Sequence, residues 1–500
     1  MITAQWSLSW PCVLWKRMEK WRTVIGLEIH AELLTKTKIF CNCSAEFGGA
    51  PNTRCCPVCT GMPGSLPVLN KKVVEYAAAV GLATNCTITQ DCKFDRKNYF
   101  YPDNPQNYQI SQLYLPICRN GHVDVTLSDG TEKTIRIHEI HMEEDAGKLV
   151  HDEWEGVSYV DYNRSGVPLI EIVSEPDMRS AEEVIAYLTK LRTTIQYLGA
   201  SDCKLQEGSM RADVNLSVRE RGSSEFGTRT ETKNLNSFAA IERAIKAETA
   251  RQIDLIEAGE KVVQETRRWN DDKEYSYAMR SKEDAQDYRY FPDPDLVPIH
   301  ISDEYLAELK AKQPEFKDEK KARYIEEFGL PEYDAEILTD SKKFTEIFEE
   351  ATAICNQPKK VSNWIMGETM RLMKEESAKT GREFRAEELT FSPESLAKII
   401  TLVEKKEINN AAAKEIFEHV FAENVDVDAY VEEHGLKQVN DEGALRATVE
   451  KVIADNPQSV ADYKGGKKQA IGYLVGQTMK AMQGKANPGM VNALLQELLK

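Results

Sequence analysis

Between residues 22 and about 295 the apolar positions recur mostly with a period of two. In "RTVIGLEIHAEL", Ile25, Leu27, Ile29 and Leu33 share one parity, while Glu28, His30 and Glu32 share the other. A strand sends alternate side chains to opposite faces. One face of this strand therefore packs, and the other carries two carboxylates and an imidazole. That polar face looks either at water or into a site. Similar runs follow in "TIRIHEIHM", "VPLIEIV" and "ADVNLSVR", separated by Gly, Pro and Asn turns. Helical spacing interrupts them in "SAEEVIAYLTKLRTTIQYLG", where Ser180 can cap and Gly199 can close.

"YFPDPDLVPIH" then places Pro292, Pro294 and Pro298 close together, which favours an extended linker. Beyond it the pattern is helical throughout. In "FSPESLAKIITLVEKKE", Ser392 is the N-cap, Pro393 the first helical residue, and Leu396, Ile399, Ile400 and Val403 one apolar face. A softer break falls near "ENVDVDAYVEEHGL". The expected class is α+β, a mixed-sheet domain followed by all-α domains. Its pieces are a dispensable extension (1–21), a sheet domain (22–295), a helical domain (296–424) and a small helical tail (425–500). The opening "MITAQWSLSWPCVLWKRMEKW" lacks a basic start and a small-residue cleavage site. Residues 1–17, upstream of Met18, should play no part in the fold.

Composition narrows the class. With 500 residues, 41% hydrophobic and 29% charged, the chain is long enough for about three domains with ordinary cores. No apolar run approaches the ~18–20 residues needed to cross a bilayer. The formal charge of −17 argues against indiscriminate phosphate binding, though not against RNA held by a local basic patch. Eleven cysteines without a secretory signal point to a reducing, cytoplasmic setting and to thiol or metal chemistry.

Cys41, Cys43, Cys56 and Cys59 follow the pattern C-x-C-x12-C-x2-C. Four thiolates can close a tetrahedral, structural zinc site; the bland alternative is a cluster of free, partly buried thiols. Cys55 is adjacent and leaves the ligand set open. "IHEIHMEEDAGK" offers His138, His141, Glu143, Glu144 and Asp145. Its alternation slips between Ile137 and Ile140, as at a bulge, so parity does not decide which glutamate faces inward. Glu171 lies within the apolar "PLIEIV" and needs a cation, either an arginine or a metal ion. Glu28, His30, Glu144 and Glu171 together make a magnesium or manganese donor set and a poor zinc one.

Arg211, Asp213 and Asn215 share one strand face, and Arg96, Lys97, Tyr99, Tyr101 and Asp103 lie in a turn-rich segment. Phosphate binding and a plain solvated surface are equal readings for both. Lys464, Lys467, Lys468, Lys480 and Lys485 occupy a tail free of acids from Tyr463 to Gln496, a candidate RNA surface or an ordinary helix face. No G-x-x-x-x-G-K-[ST] loop and no G-x-S-x-G elbow is present. A nucleotide site would be of another kind, and a serine amidase mechanism is disfavoured.

The runs "VIGLEIHAEL", "KFDRKNYFYPDNPQNYQISQ", "HMEEDAGK", "DYNRSGVPLIEIVSEPD", "GSMRADVNLSV", "KNLNSF", "DYRYFPDPDLVP" and "NPQSVADYKGGKKQAIGYLVGQTMKAMQGKANP" closely resemble the B subunit of the glutamyl/aspartyl-tRNA amidotransferases over about residues 20–500. The resemblance implies a cradle-shaped, kinase-like domain, a helical domain and a tail that approaches tRNA. It implies a carbon–nitrogen ligase acting on Glu-tRNA(Gln) or Asp-tRNA(Asn). The side-chain carboxylate is phosphorylated with ATP and Mg²⁺ and then amidated by ammonia from glutamine, supplied by a glutaminase A subunit; a small C subunit braces the pair.

By the same resemblance Glu28, His30, Glu144 and Glu171 hold magnesium, Lys97 and Tyr99 lie near the ammonia tunnel, and the cysteines mark a zinc-containing branch. The lysine tail faces tRNA. Residues 1–17 have no counterpart, and Cys55 stands where a cysteine is uncommon. The related archaeal E-type subunit carries an inserted domain for which there is no room between Asn270 and Pro298. Two rivals remain: a non-catalytic zinc-stabilised tRNA scaffold, and a self-sufficient ligase using free ammonia.

Overall fold

The computed structural model describes residues 20–152, 154–205, 207–281, 288–438, 442–482 and 486–499. The expected N-terminal extension lies almost wholly outside them. The chain forms two compact units, residues 1–316 and 317–500.

A nine-stranded mixed sheet organises the first unit. Its strands are β1 (Trp21–Glu32), β2 (Thr87–Ile88), β3 (Cys118–Thr126), β4 (Glu132–Glu144), β5 (Pro168–Ser174), β6 (Met210–Glu220), β7 (Thr230–Lys233), β8 (Glu265–Asn270) and β9 (Tyr275–Ser281). They lie side by side as β9-β8-β7-β6-β1-β5-β4-β3-β2. Neighbours run antiparallel except the parallel pair β7/β8.

One face of the sheet is apolar. Ile25, Leu27 and Ile29 of β1, Ile140 and Met142 of β4, Ile170 and Ile172 of β5, and Ala212, Val214 and Leu216 of β6 are buried in one core. Three helices pack onto it: α1 (Lys71–Ala83), α2 (Ala181–Tyr197) and α3 (Phe238–Glu257). Each begins at a side-chain cap, Asn70, Ser180 and Ser237, which accepts a backbone N–H of the first turn. Ser180 caps as expected, and Gly199 follows the end of α2 with φ +67°. Burial of the apolar stripe on α2 (Val184, Tyr187, Leu188, Leu191, Ile195) fixes the sheet's inner face and leaves the opposite face to polar residues.

The proline-rich segment is sewn into the first unit. Phe291–Pro292 pairs with Arg96 and Asp95, and Ile299–His300 pairs with Cys92 and Asp91. Ile301 and Leu309 then enter the first core, Leu309 from the helix Asp303–Ala311. Residues 296–316, expected in the helical domain, thus pack with the sheet domain. Prolines favour extended backbone without forcing a linker, and an edge strand tolerates them.

The second unit is helical and contains two buried clusters. One runs from Tyr324 to Val431 and the other from Leu445 to Leu499. Ser392 caps the helix Pro393–Glu404, and Leu396, Ile399 and Ile400 are buried as the spacing predicts. Val427 and Val431, expected in the tail, belong to the first of these clusters. Among the described residues no helix is long and apolar enough to cross a membrane.

Candidate functional site

The polar face of the sheet gathers its side chains by register. His30 stands opposite Glu171, and Glu171 opposite His141. On the other side of β1, Glu28 stands opposite Asp213 and His30 opposite Arg211. Cross-strand neighbours on one face lie within side-chain reach, so the topology builds a row of charges across five strands.

The row contains two triads whose ligand-type atoms lie within 4.8 Å of one another: His30, Glu143 and Glu171, and Glu28, Asp213 and Glu231. In the first, His30 Nε2 is 3.3 Å from Glu171 Oε2 and 4.0 Å from Glu143 Oε1. His141 joins it, its Nε2 lying 3.1 Å from Glu171 Oε2. Ser111 donates its hydroxyl to Glu143 Oε2 at 3.1 Å. Burial opposes ionisation of Glu171, yet His141 and His30 hold it well below the usual carboxylate range. Burial likewise opposes the charge on Glu143, and Lys97 and His141 more than offset it. The partners of Glu171 are histidines, not the arginine that its strand context also allowed.

In the second triad Asn215 Nδ2 donates to Glu28 Oε1 at 2.9 Å. Lys233 pairs with Asp213, and with Glu231 Oε1 at 2.7 Å. Thr266 Oγ1 also donates to Glu231, at 2.7 Å. Glu28 is pushed upward, first by burial and then by the charges of Glu171 and Glu231. A carboxylate raised by its like-charged neighbours is a place where a cation stabilises. Two hard acids and an imidazole in one triad and three acids in the other suit Mg²⁺ or Mn²⁺.

Glu144, expected among the ligands, is directed elsewhere. The slip in β4 is real: Glu139 pairs with Val173 and Ile137 with Ser174, which skips His138. Past this bulge, His141 and Glu143 lie on the side of Glu171, and Glu144 follows Met142 to the other side. There it is buried, accepting from Gln106 Nε2 at 2.6 Å and from the backbone N–H of Ile110 at 2.9 Å. Burial pushes its carboxyl up to about 8. Glu143 occupies the position expected of Glu144. Glu28, expected beside His30 and Glu171, belongs to the neighbouring triad instead.

Lys97 sits next to the first triad. Burial works against its charge, but Glu143, Tyr290 and Glu171 raise it above the ordinary lysine range. Its ammonium lies 5.3 Å from the centre of the Tyr288 ring. Tyr99 packs edge-on to Tyr288, centroids 6.0 Å apart, and donates to Gln109 Oε1 at 3.0 Å. Arg211 is already engaged, by Asp145 and by Glu32 Oε1 at 3.3 Å, while Arg164 Nε lies 3.6 Å from Asp145. Of the expected phosphate binders, Arg211 is thus tied into a closed ion network, and Asp213 and Asn215 belong to the second triad.

Sequence reading missed Glu231 and Lys233. They alternate with Thr230 and Thr232 in the short strand "TETK", a period-two signal too brief to single out. His141 and Glu143 were within the quoted cluster; only the bulge hid their direction.

The Sγ atoms of Cys41, Cys43, Cys56 and Cys59 lie within 4.8 Å of one another. A knuckle turn presents the second pair: the Cys56 N–H donates to Cys59 Sγ at 3.2 Å, and Thr60 N to Cys56 O at 3.1 Å. Gly61 closes the turn at φ +64°, where a Cβ would stand 2.9 Å from the backbone nitrogen of Gln106. Cys55 lies apart from the four, with Sγ 3.7 Å from Asn163 Oδ1. In the second unit Lys464, Lys467, Lys468 and Lys480 are exposed, Lys467 lying 3.2 Å from Asp462.

Residues 23–307 match the family model described as the GatB/GatE catalytic domain, and residues 346–499 the one described as the GatB domain. The chain is 97% identical over 483 residues to the B subunit of the aspartyl/glutamyl-tRNA(Asn/Gln) amidotransferase from Lachnospira eligens, covering 97% of this chain and 100% of that protein. It is 70% identical over 482 residues to the protein of the same name from Agathobacter rectalis, covering 96% and 100%. The Lachnoclostridium phytofermentans counterpart is 64% identical over 482 residues, covering 96% and 99%.

Proposed function

The chain belongs to the family of aspartyl/glutamyl-tRNA(Asn/Gln) amidotransferase B subunits, and on that footing we propose how its two units divide the work. The sheet unit activates the side-chain carboxylate of Glu-tRNA(Gln) or Asp-tRNA(Asn) by ATP-dependent phosphorylation. Ammonia then displaces the phosphate and leaves the amide. A glutaminase A subunit supplies the ammonia, a small C subunit holds the assembly, and the work is done in the cytoplasm.

The observation that carries this reading is the pair of triads on one sheet face. Both fit divalent cations by their donors. His30, Glu143 and Glu171 would hold one, and Glu28, Asp213 and Glu231 offer a second position. A bound Mg²⁺ would supply positive charge between the phosphates and the incoming carboxylate, two anions that otherwise repel. The protein's own groups do the rest. His141 keeps Glu171 ionised and so ready to hold a cation together with a neutral His30. Lys97 offers a fixed ammonium beside the same carboxylates, where negative charge accumulates as the acyl phosphate forms. Lys233 neutralises Asp213 and Glu231 in part and leaves Glu28 in surplus.

Cys41, Cys43, Cys56 and Cys59 hold a structural zinc ion; four thiolates leave no coordination position for substrate. The exposed lysines of the tail meet the tRNA backbone. Two groups of donors spaced for a divalent cation favour the enzymatic reading over a non-catalytic scaffold.

The test is formation of an acyl phosphate on Glu-tRNA by the purified assembly with ATP and Mg²⁺. The intermediate should form, and Glu171→Gln should abolish it while leaving tRNA binding nearly intact. Unchanged ATP turnover in that variant would overturn the assignment. The isolated chain with ammonium salt should turn over weakly or not at all; turnover equal to that of the assembly would establish the self-sufficient ligase instead.

A further inference from the structure

One member of the second triad, Glu231, stands on a strand that backbone pairing alone holds weakly. β7 is four residues long and meets β6 and β8 through three register pairs each. Glu231 and Lys233 face the triad, while Thr230 and Thr232 alternate to the other side and are buried. Resting on the reading above that Glu28, Asp213 and Glu231 can hold a divalent cation, we propose that Glu248, on the opposite side of the sheet, is a positioning residue. It pins β7 and β8 through Thr230 and Arg267 and so keeps Glu231 in place within the triad.

The anchor is internal. Glu248 lies in the middle of α3 and is 2% exposed. Its Oε1 accepts from Thr230 Oγ1 at 2.8 Å and from Gln252 Nε2 at 3.0 Å. The same Gln252 nitrogen lies 3.2 Å from the Leu216 carbonyl of β6. On the other carboxylate oxygen, Ser276 of β9 donates its hydroxyl at 3.3 Å and Arg267 Nε of β8 lies 3.5 Å away. Arg251 closes a two-pronged fork at 2.8 and 2.7 Å. One carboxylate and the glutamine beside it thus reach all four strands at this end of the sheet. Burial opposes the charge on Glu248, and the donors Arg251 and Gln252 more than offset it. A charge buried this deeply adds little net stability. It adds direction, because each donor meets it from a fixed side.

Alternation couples the two faces of these strands. Glu231 pairs with Thr266, and Thr232 with Arg267. On the polar face Thr266 donates to Glu231. On the inner face Thr230 and Arg267, one residue along each strand, converge on Glu248. A slide of β7 past β8 breaks both sets together. Mg²⁺ demands oxygen donors at about 2.0–2.1 Å in a near-octahedral array, so a small shift of β7 takes Glu231 out of reach. The first triad draws its residues from β1, β4 and β5, and none of them lies on β7 or β8. The pin therefore serves one cation position and not the other.

The experiment titrates Mn²⁺ into the full chain in its amidotransferase assembly, followed by electron paramagnetic resonance. The parent should bind two ions, and Glu231→Gln should lose one of them, which identifies the signal of the second triad. Thr230→Val keeps the branched shape and removes the hydroxyl. It should weaken that same ion by about threefold or more and leave the other as in the parent. Thr230→Ser, which retains the hydroxyl, should restore the parent affinity. Glu248→Gln should give a larger loss at the same ion; Thr230→Val carries the test by itself if the buried change prevents folding. An unaltered second ion in Thr230→Val, or equal weakening of both ions, would overturn the positioning role and leave the cation reading standing. A single ion in the parent, or two intact ions in Glu231→Gln, would overturn the second cation position and the pin with it.

Discussion

Glu144 offers a sharp test of the site's geometry, because its carboxyl lies on the far side of β4 from the triads. Burial pushes it up to about 8 from the ordinary 4.5, and the N–H donors of Ile110 and Gln106 only partly offset that. The gap, at ~1.36 kcal/mol for each pH unit, corresponds to roughly 5 kcal/mol. The sign follows from which state loses its proton first. Below about 4.5 the group is protonated in both states and contributes nothing to the pH dependence. Between 4.5 and about 8 the unfolded chain ionises it while the folded chain does not, so stability falls as pH rises. Above about 8 the full penalty is present. Glu144→Gln keeps an acceptor for both donors and removes the titration. Urea unfolding of the full chain, followed by tryptophan fluorescence that includes buried Trp269, measures the difference. The two proteins should agree at about pH 4, below the unfolded carboxyl's titration, and the variant should be more stable by a few kcal/mol at pH 8.5. Parallel stability curves across that range would refute the buried, neutral carboxyl. A loss of Mn²⁺ binding in this variant would show that Glu144 reaches the metal after all.

Glu143→Gln should do what Glu144→Gln does not: lower Mn²⁺ affinity by at least tenfold and abolish the acyl phosphate, both read on the same assembly. Retained metal binding would exclude Glu143 as a ligand. Cys56→Ser with Cys59→Ser should release zinc, measured by metal analysis, and lower the thermal midpoint by several degrees while per-molecule chemistry persists in the folded fraction. Full zinc retention would assign the ligands elsewhere. Lys467→Ala with Lys468→Ala should weaken tRNA binding and reduce the salt slope by about 1.8, two contacts at ~0.9 each. An unaltered slope would remove this loop from the RNA surface.

Much of this architecture is written in the periodicities. The alternation in β1 foretold both the packing of Ile25, Leu27 and Ile29 and the polar face of Glu28, His30 and Glu32, and register then did the rest. The caps Ser180 and Ser392 were legible because a side-chain oxygen before an apolar stripe has one obvious use. The direction of Glu143 was not legible. One extra residue at His138 inverts every later side chain in β4, and a sequence shows that a slip exists without showing where the extra residue is accommodated. Glu231 and Lys233 were hidden for another reason. Their strand is four residues long, and its place beside β6 is a long-range pairing that local pattern does not encode. The separation of Glu28 from His30 and Glu171 into a second triad is likewise a property of strand order. Residues 296–316 show how composition can mislead: three prolines suggested a tether, but Pro292 sits in a strand pairing and Leu309 in the core.

One sheet face thus carries two kinds of acidic group, and the difference between them marks the site. Asp145 and Glu32 meet Arg211 and Arg164, and there the acids are answered by cations of the chain itself. Burial and the neighbouring Asp145 charge push Glu32 up to about 8, so that this pair shares a proton as well. Such a network is complete and has no need of a ligand. The triads a few residues along are answered differently. Glu143 and Glu171 are held ionised by Lys97 and two histidines, and an imidazole that gives up its proton becomes a ligand for a cation. Glu28 is left in surplus, destabilised first by burial and then by the carboxylates beside it. Removing one acid from the closed network would strand an arginine and cost stability. Removing Glu28 should instead relieve repulsion, so Glu28→Gln is expected to keep or raise the unfolding midpoint while it abolishes acyl-phosphate formation. A midpoint lowered by several degrees would mean that Glu28 serves the fold rather than a bound cation.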